Sequence, residues 1–233
     1  MKRVIIIYGP PGAGKGTQAN LLAGKLGLIH FDTGKYLEQL LHDSELQKNP
    51  EIKMARKIFD SGALVTPSFV LKVTSKKTKE IAKAGWGIVF SGSPRTVFEA
   101  FGNQKNEGLI PIFENLYGKK NIVPILLKID PKISILRNAH RLVCSVCGTA
   151  ILYSDVKHQH KTCPLCGGKL YRRVVDNPKV FKTRIKEYEV RTAPILAGLK
   201  KRGYKITEVD GRPLPYKVFD SILKKLKIIQ INE

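Results

Sequence analysis

Acidic residues are scarce in this chain. Aspartate and glutamate total 19 against 41 lysines and arginines, a formal net charge of +22 over 233 residues. Such an imbalance favours polyanionic partners, whether nucleotides, RNA or acidic lipid. A lysine-rich solvated face accounts for it equally well, and charge alone cannot separate ATP from RNA. Long apolar runs are missing too: no stretch of about 18 apolar residues exists, which excludes a membrane-spanning helix. The apolar run after Met1-Lys2-Arg3 stops within a few residues at Gly9-Pro10-Pro11-Gly12 and shows no signal-peptide cleavage pattern. It reads as a buried first strand, and the expected location is the cytoplasm. Internal repeats and low-complexity linkers are absent as well. What remains possible at this length is one well-buried core plus inserts, not two full domains.

What is present is an alternation. Short apolar runs at Val4–Ile7, Leu28–Phe31, Ile88–Phe90, Val123–Ile129 and Lys205–Val209 are bounded by turn residues. Helical patterns lie between and after them, near Lys15–Leu26, Glu51–Ser61, Phe69–Lys83, Pro131–Arg141, Pro178–Lys200 and Pro215–Lys227. Strands that alternate with helices, and lack polar alternation of their own, predict a parallel sheet covered on both faces. Ligands of such sheets bind beyond the carboxyl ends of the strands. Residues 33–65 read as a small helical insert, and residues 142–174 as a cysteine-rich segment without a clear core strand.

The strongest motif is Gly9-Pro-Pro-Gly12-Ala13-Gly14-Lys15-Gly16-Thr17, which follows a predicted strand and opens a predicted helix. Glycines let successive backbone N–H groups turn inward onto a polyphosphate. The helix start adds its positive end, and Lys15 adds a full charge. In the generic phosphate loop a hydroxyl residue follows the lysine directly; here Gly16 intervenes and Thr17 is the first hydroxyl. This variant resembles the nucleoside monophosphate kinases, adenylate kinases above all. Asp32-Thr33-Gly34 is similar to that family's STG element, Gly62-Ala-Leu-Val65-Thr66 to its GxLVT element, and Gly92-Ser-Pro94-Arg95-Thr96 to the end of its DGFPRT element. Arg137, Arg141, Arg173, Asp176, Arg184 and Tyr188 resemble the set flanking its lid. Thr192-Ala193-Pro194 and Val209-Asp210-Gly211 complete the order, so the match spans essentially the whole chain.

The resemblance implies a P-loop α/β fold: a five-stranded parallel sheet with helices on both faces, a helical monophosphate-binding insert and a zinc-ribbon-like lid. The expected core is 1–32, 66–141 and 175–233, with the insert at 33–65 and the lid at 142–174. It implies that Gly12, Ala13, Gly14, Lys15, Gly16, Thr17, Arg137 and Arg141 bind ATP, with Arg137 stacked on the base. Thr33, Gly34, Val65, Gly92, Arg95 and Glu99 fall at its monophosphate site. Phosphoryl transfer is largely positioning and charge neutralisation, and the cations implied for it are Lys15, Arg95, Arg141, Arg173 and Arg184. Arginine suits the task because its planar fork holds phosphate oxygens bidentately and stays charged. Mg²⁺ is expected with ATP.

Three positions depart from the family. Ser91 stands where an aspartate organises the water shell of Mg²⁺, a supporting role whose loss costs roughly 10–100-fold. On that reading alone, Ser91→Asp should lower the Mg²⁺ requirement. Glu38 replaces an arginine for the monophosphate; an anion about 4 Å from a phosphate costs roughly 4 kcal/mol at an effective dielectric of ~20, so Glu38 must point away or Lys35 must compensate. Glu99 replaces the glutamine that reads the adenine edge, and an ionised carboxylate accepts hydrogen bonds but donates none.

Cys144-x₂-Cys147 and Cys163-x₂-Cys166 are separated by 15 residues, and each pair is followed by glycine. Two such turns offer four thiolates to one tetrahedral ion, with no open position left for catalysis, so a structural zinc is expected. Two disulfides are the alternative, disfavoured in a reducing compartment. His158 and His160 read as loop residues rather than ligands. The resulting expectation is a monomeric ATP-dependent nucleoside monophosphate kinase with AMP as default acceptor and no membrane partner; a nucleic-acid partner is compatible with the net charge but not predicted. A kinase for another monophosphate is one alternative. The other is a weakly active nucleotide-binding protein whose basic surface and zinc ribbon bind RNA or a protein.

Overall fold

The computed structural model describes residues 3–151, 161–172 and 178–228. In chain order the first elements are β1 (Val4–Tyr8), α1 (Lys15–Leu26), β2 (Ile29–Phe31), α2 (Thr33–His42), α3 (Pro50–Asp60) and α4 (Pro67–Lys83). Next come β3 (Ile88–Phe90), α5 (Val97–Phe101), α6 (Leu109–Tyr117), β4 (Ile122–Lys128) and α7 (Pro131–Ala139). Three short strands follow, β5 (Leu142–Cys144), β6 (Ala150–Ile151) and β7 (Leu170–Tyr171). The chain closes with α8 (Pro178–Glu187), a π turn at Tyr188–Thr192, α9 (Ala193–Lys201), β8 (Thr207–Asp210) and α10 (Pro215–Lys225).

Among the described residues five strands form a parallel sheet in the order β2-β3-β1-β4-β8. Every residue of β1 is buried. The reason is geometric: successive side chains point to opposite faces, and both faces are covered. Val4, Ile6 and Tyr8 pack with Phe90, Phe113, Leu109 and Ile195 beneath α4, α5, α6 and α9. Ile5 and Ile7 pack with Leu22, Val89, Ile125, Val218 and Ile222 beneath α1 and α10. A separate cluster of Leu37, Leu41, Ile52, Ala55, Val65 and Phe69 joins α2, α3 and the start of α4. The short strands make an antiparallel sheet of their own, order β6-β5-β7. No described helix is long and apolar enough to cross a membrane.

The sheet and its two covered faces match the expected fold. Three local departures have physical causes. Helix α6 was not expected: Pro111 and the exposed Leu116 blur, in the sequence Leu-Ile-Pro-Ile-Phe-Glu-Asn-Leu-Tyr, the stripe by which Leu109, Ile110, Ile112, Phe113 and Tyr117 meet the core. Helix α5, five residues long, is too short to produce a period. The single helix expected over Pro178–Lys200 is instead interrupted by the π turn at Tyr188–Thr192. Pro194 has no N–H to give to the preceding turn, and a wider turn absorbs the missing bond. The interruption is used: Thr192 Oγ1 donates to the Arg95 carbonyl at 2.9 Å.

Candidate active site

The loop between β1 and α1 lies at the carboxyl edge of the sheet. Gly14, at the N-cap of α1, adopts left-handed backbone with φ 87° and brings no capping side chain to the first N–H groups. Those donors are therefore available to an anion. Gly9 permits a close approach: a Cβ there would sit 2.7 Å from the Leu127 carbonyl. The loop is held from α7, where Ser134 Oγ donates to the Pro11 carbonyl at 2.5 Å and Asn138 Nδ2 to the Ser134 carbonyl at 2.8 Å.

Lys15 Nζ donates to the carbonyls of Gly9 (2.7 Å) and Pro10 (2.9 Å), which aims it back across the loop. Its pKa lies well below the ordinary lysine value. Loss of water is the main cause, followed by repulsion from Arg95, Arg184 and Arg141; Asp32 acts in the opposite sense. Four cations thus share one field, with Asp32 the carboxylate that acts on Lys15. An anion entering here would reverse the balance.

These groups line one cleft of about 1010 Å³. Every residue from Gly12 to Thr17 faces it, as do Arg95, Arg137, Arg141 and Arg184. So do Thr33, Gly34, Lys35, Glu38, Val65, Ser91, Gly92 and Glu99 on the side of α2. Arg173 and Asp176 lie outside the described residues, as do His158 and His160. Arg95 Nε is fixed by the Gly92 carbonyl at 2.6 Å. Arg137 is gripped by two carbonyls beyond β8, Gly211 at 2.8 Å and Arg212 at 2.6 Å. Arg137 so held lines the cleft.

On the α2 side, Asp32 caps the helix: its Oδ1 accepts from Gly34 N (3.0 Å) and Lys35 N (3.2 Å). Thr33 Oγ1 is buried without a hydrogen-bond partner among the described residues, an acceptor and donor facing the cleft. Glu99 is engaged in a way that sequence reasoning missed. Its Oε2 accepts from Arg95 N (3.0 Å) and its Oε1 from Thr96 Oγ1 (3.0 Å), while Thr96 Oγ1 in turn accepts from Glu99 N. The pattern Thr-x-x-Glu at the start of α5 is the sequence signal for this reciprocal cap. Burial pushes the Glu99 carboxyl above the usual carboxylate range, opposed by its bonds to Arg95 and Thr96.

The four cysteines converge over the cleft. Their sulfurs lie within 4.8 Å of one another, with Cys144 and Cys166 at 3.4 Å and Cys147 and Cys163 at 3.7 Å. Sulfurs of a tetrahedral site with metal–sulfur bonds of about 2.3 Å stand about 3.7 Å apart, whereas a disulfide needs about 2.05 Å. The two turns are built alike, each closed by a left-handed glycine, Gly148 (φ 67°) and Gly167 (φ 71°). In each, that glycine N–H reaches the carbonyl of the first cysteine, at 3.0 and 2.9 Å. The donor set and spacing fit one tetrahedral thiophilic ion. Residues 143–151 of this unit also line the cleft, and Lys35 Nζ on α2 reaches the Gly148 carbonyl across it at 3.4 Å.

Comparison with known proteins agrees with the geometry. The family model described as "Adenylate kinase" matches residues 7–204. An adenylate kinase of Elusimicrobium minutum is 34% identical over 223 residues, covering 95% of this chain and 97% of its own. One from Chlamydia pneumoniae is 32% identical over 221 residues, covering 95% and 96%. One from Methanothrix thermoacetophila is 33% identical over 231 residues, covering 97% and 99%. The chain belongs to the adenylate kinase family and is a phosphotransferase of the nucleoside monophosphate kinase type.

Proposed function

We propose that the enzyme transfers the terminal phosphoryl group of ATP reversibly to AMP, giving two molecules of ADP. The observation that carries this reading is the field around Lys15, where Arg95, Arg141 and Arg184 share one cleft with the bare N-terminus of α1. In this account Lys15, Arg95, Arg141, Arg173 and Arg184 neutralise charge that spreads over the moving phosphoryl group. Gly12 to Thr17 bind the polyphosphate, and Arg137 and Arg141 complete the ATP side. Thr33, Gly34, Val65, Gly92, Arg95 and Glu99 form the monophosphate side. No side chain is needed as general base. Mg²⁺, bound with ATP, supplies charge neutralisation at the phosphates, and Thr17 and Asp32 are the oxygen-bearing side chains beside the loop that suit it. A structural zinc on Cys144, Cys147, Cys163 and Cys166 stiffens the lid, so that it moves as one body and keeps water from competing as acceptor. The working units are the core (1–32, 66–141, 175–233), the insert (33–65) and the lid (142–174). The enzyme acts as a cytoplasmic monomer.

The acceptor is the part of this reading that the departures bear on. Glu38 faces the cleft where an arginine is usual, and Glu99 is occupied with capping α5. Glu38→Arg with Glu99→Gln is therefore expected to tighten AMP binding about tenfold or more, since an anion becomes a cation near a phosphate. A coupled assay of parent and double variant with ATP and each of AMP, CMP, UMP and GMP checks this. AMP as best acceptor of the parent supports the proposal. A parent that prefers another monophosphate, and loses it on double substitution, would show a re-tuned pocket instead.

A further inference from the structure

In the family's motifs, the end of the second strand carries serine and the end of the third carries aspartate. This chain has the reverse, Asp32 and Ser91. Strands β2 and β3 are neighbours in register, Phe31 level with Phe90, so Asp32 and Ser91 emerge side by side at the carboxyl edge of the sheet. Ser91 N donates to the Phe31 carbonyl at 3.3 Å. One carboxylate and one hydroxyl are thus kept across the same pair of strand ends, with their positions exchanged.

We infer that Asp32 is the positioning carboxylate for the hydrated metal of the metal–ATP complex, the acid having moved from the end of β3 to the end of β2. The inference rests on the function proposed above. Its two oxygens have separate directions. Oδ1 is committed to the N-terminus of α2. Oδ2 is directed at the phosphate loop, 3.9 Å from where a Cβ on Gly16 would stand. Asp32 is also the carboxylate that acts on Lys15, the lysine of that loop.

The other carboxylates lining the cleft among the described residues, Glu38 and Glu99, do not fit the role. Glu99 spends both oxygens on Arg95 N and Thr96 Oγ1. Glu38 lies more than a turn into α2, on the insert rather than at the strand ends. Ser91 is not idle either. Its Oγ meets His30 Nε2 at 2.5 Å, and His30 Nδ1 meets Asn20 Oδ1 at 2.5 Å, which ties the end of β3 to α1. On this account Ser91→Asp by itself no longer lowers the metal requirement. It sets a second anion beside Asp32 and breaks the His30 contact.

Asp32→Asn separates the two duties of the residue. Asparagine keeps an oxygen to cap α2 but carries no charge. The measurements are Mn²⁺ affinity of the protein–ATP complex by electron paramagnetic resonance, ATP affinity without metal, and thermal melting. Expected for Asp32→Asn are a roughly 10–100-fold loss of Mn²⁺ affinity, metal-free ATP binding that is unchanged or tighter, and an unchanged melt. The exchange variant, Asp32→Ser with Ser91→Asp, should recover most of the lost Mn²⁺ affinity. Mn²⁺ affinity of Asp32→Asn within about twofold of the parent, against the loss expected for such a group, overturns the inference while leaving phosphoryl transfer by the parent standing. Equal weakening of ATP with and without metal also overturns it, since Asp32 would then act through Lys15. A parent that binds no metal–ATP complex overturns both the inference and the proposed function.

Discussion

Replacement of Lys15 by alanine is expected to lower turnover by about 10³-fold or more, the scale of removing one preorganised charge from a developing phosphoryl transition state. The same change should hardly alter the stability of the free protein. Lys15 gives up hydrogen bonds to Gly9 and Pro10, each worth about 1 kcal/mol net. Against that loss, three arginines are relieved of a neighbouring cation whose pKa their charge and its own burial already depress. The melting temperature should therefore move by a few degrees at most. Stabilisation of the parent by ATP should vanish in the variant, since a ligand stabilises only as far as it binds. Steady-state kinetics together with calorimetry, with and without ATP, tests the pair of expectations. Near-normal turnover in Lys15→Ala would remove the phosphate loop from the mechanism.

The second large effect concerns the proposed lid. Among its described residues the apolar cluster is small: buried Cys144, Ile151 and Cys163, with Leu142 and Leu170 packed against them. A cluster of that size cannot hold a separate unit together without a staple. Structural zinc contributes roughly 10–16 kcal/mol of apparent binding free energy in small folds of this kind. Protein purified without added metal is expected to contain about one zinc per chain. Chelation should unfold the lid before the core, visible as a new low-temperature transition and as proteolytic cutting confined to about 142–174. Cys163→Ser, at a buried ligand position, should do the same without chelator. Zinc-free protein with four titratable thiols and an unchanged melt would contradict the assignment.

The parts of this molecule legible in its sequence are those where one residue type answers to one local demand. Glycines at 9, 12 and 14 mark a loop whose backbone must turn to positive φ. The unbroken apolar runs of β1 and β3 mark strands buried on both faces. The paired cysteines mark two matching turns. What escaped is set by neighbours distant in sequence. Helix α6 hides its period because Pro111 interrupts it and an exposed Leu116 breaks the polar side. Glu99 looks like an altered base-reading residue until its bonds to Arg95 and Thr96 show it capping a helix. Ser91 reads as a lost acid along the chain. Only the register of β2 with β3 shows Asp32 standing beside it.

Phosphorus NMR of the purified protein with Mg²⁺ and nucleotides tests the central claim most directly. Starting from ATP and AMP, ADP resonances should grow, and starting from ADP alone the same equilibrium mixture should form. Binding of ATP without formation of any diphosphate from AMP, CMP, UMP or GMP would contradict the account.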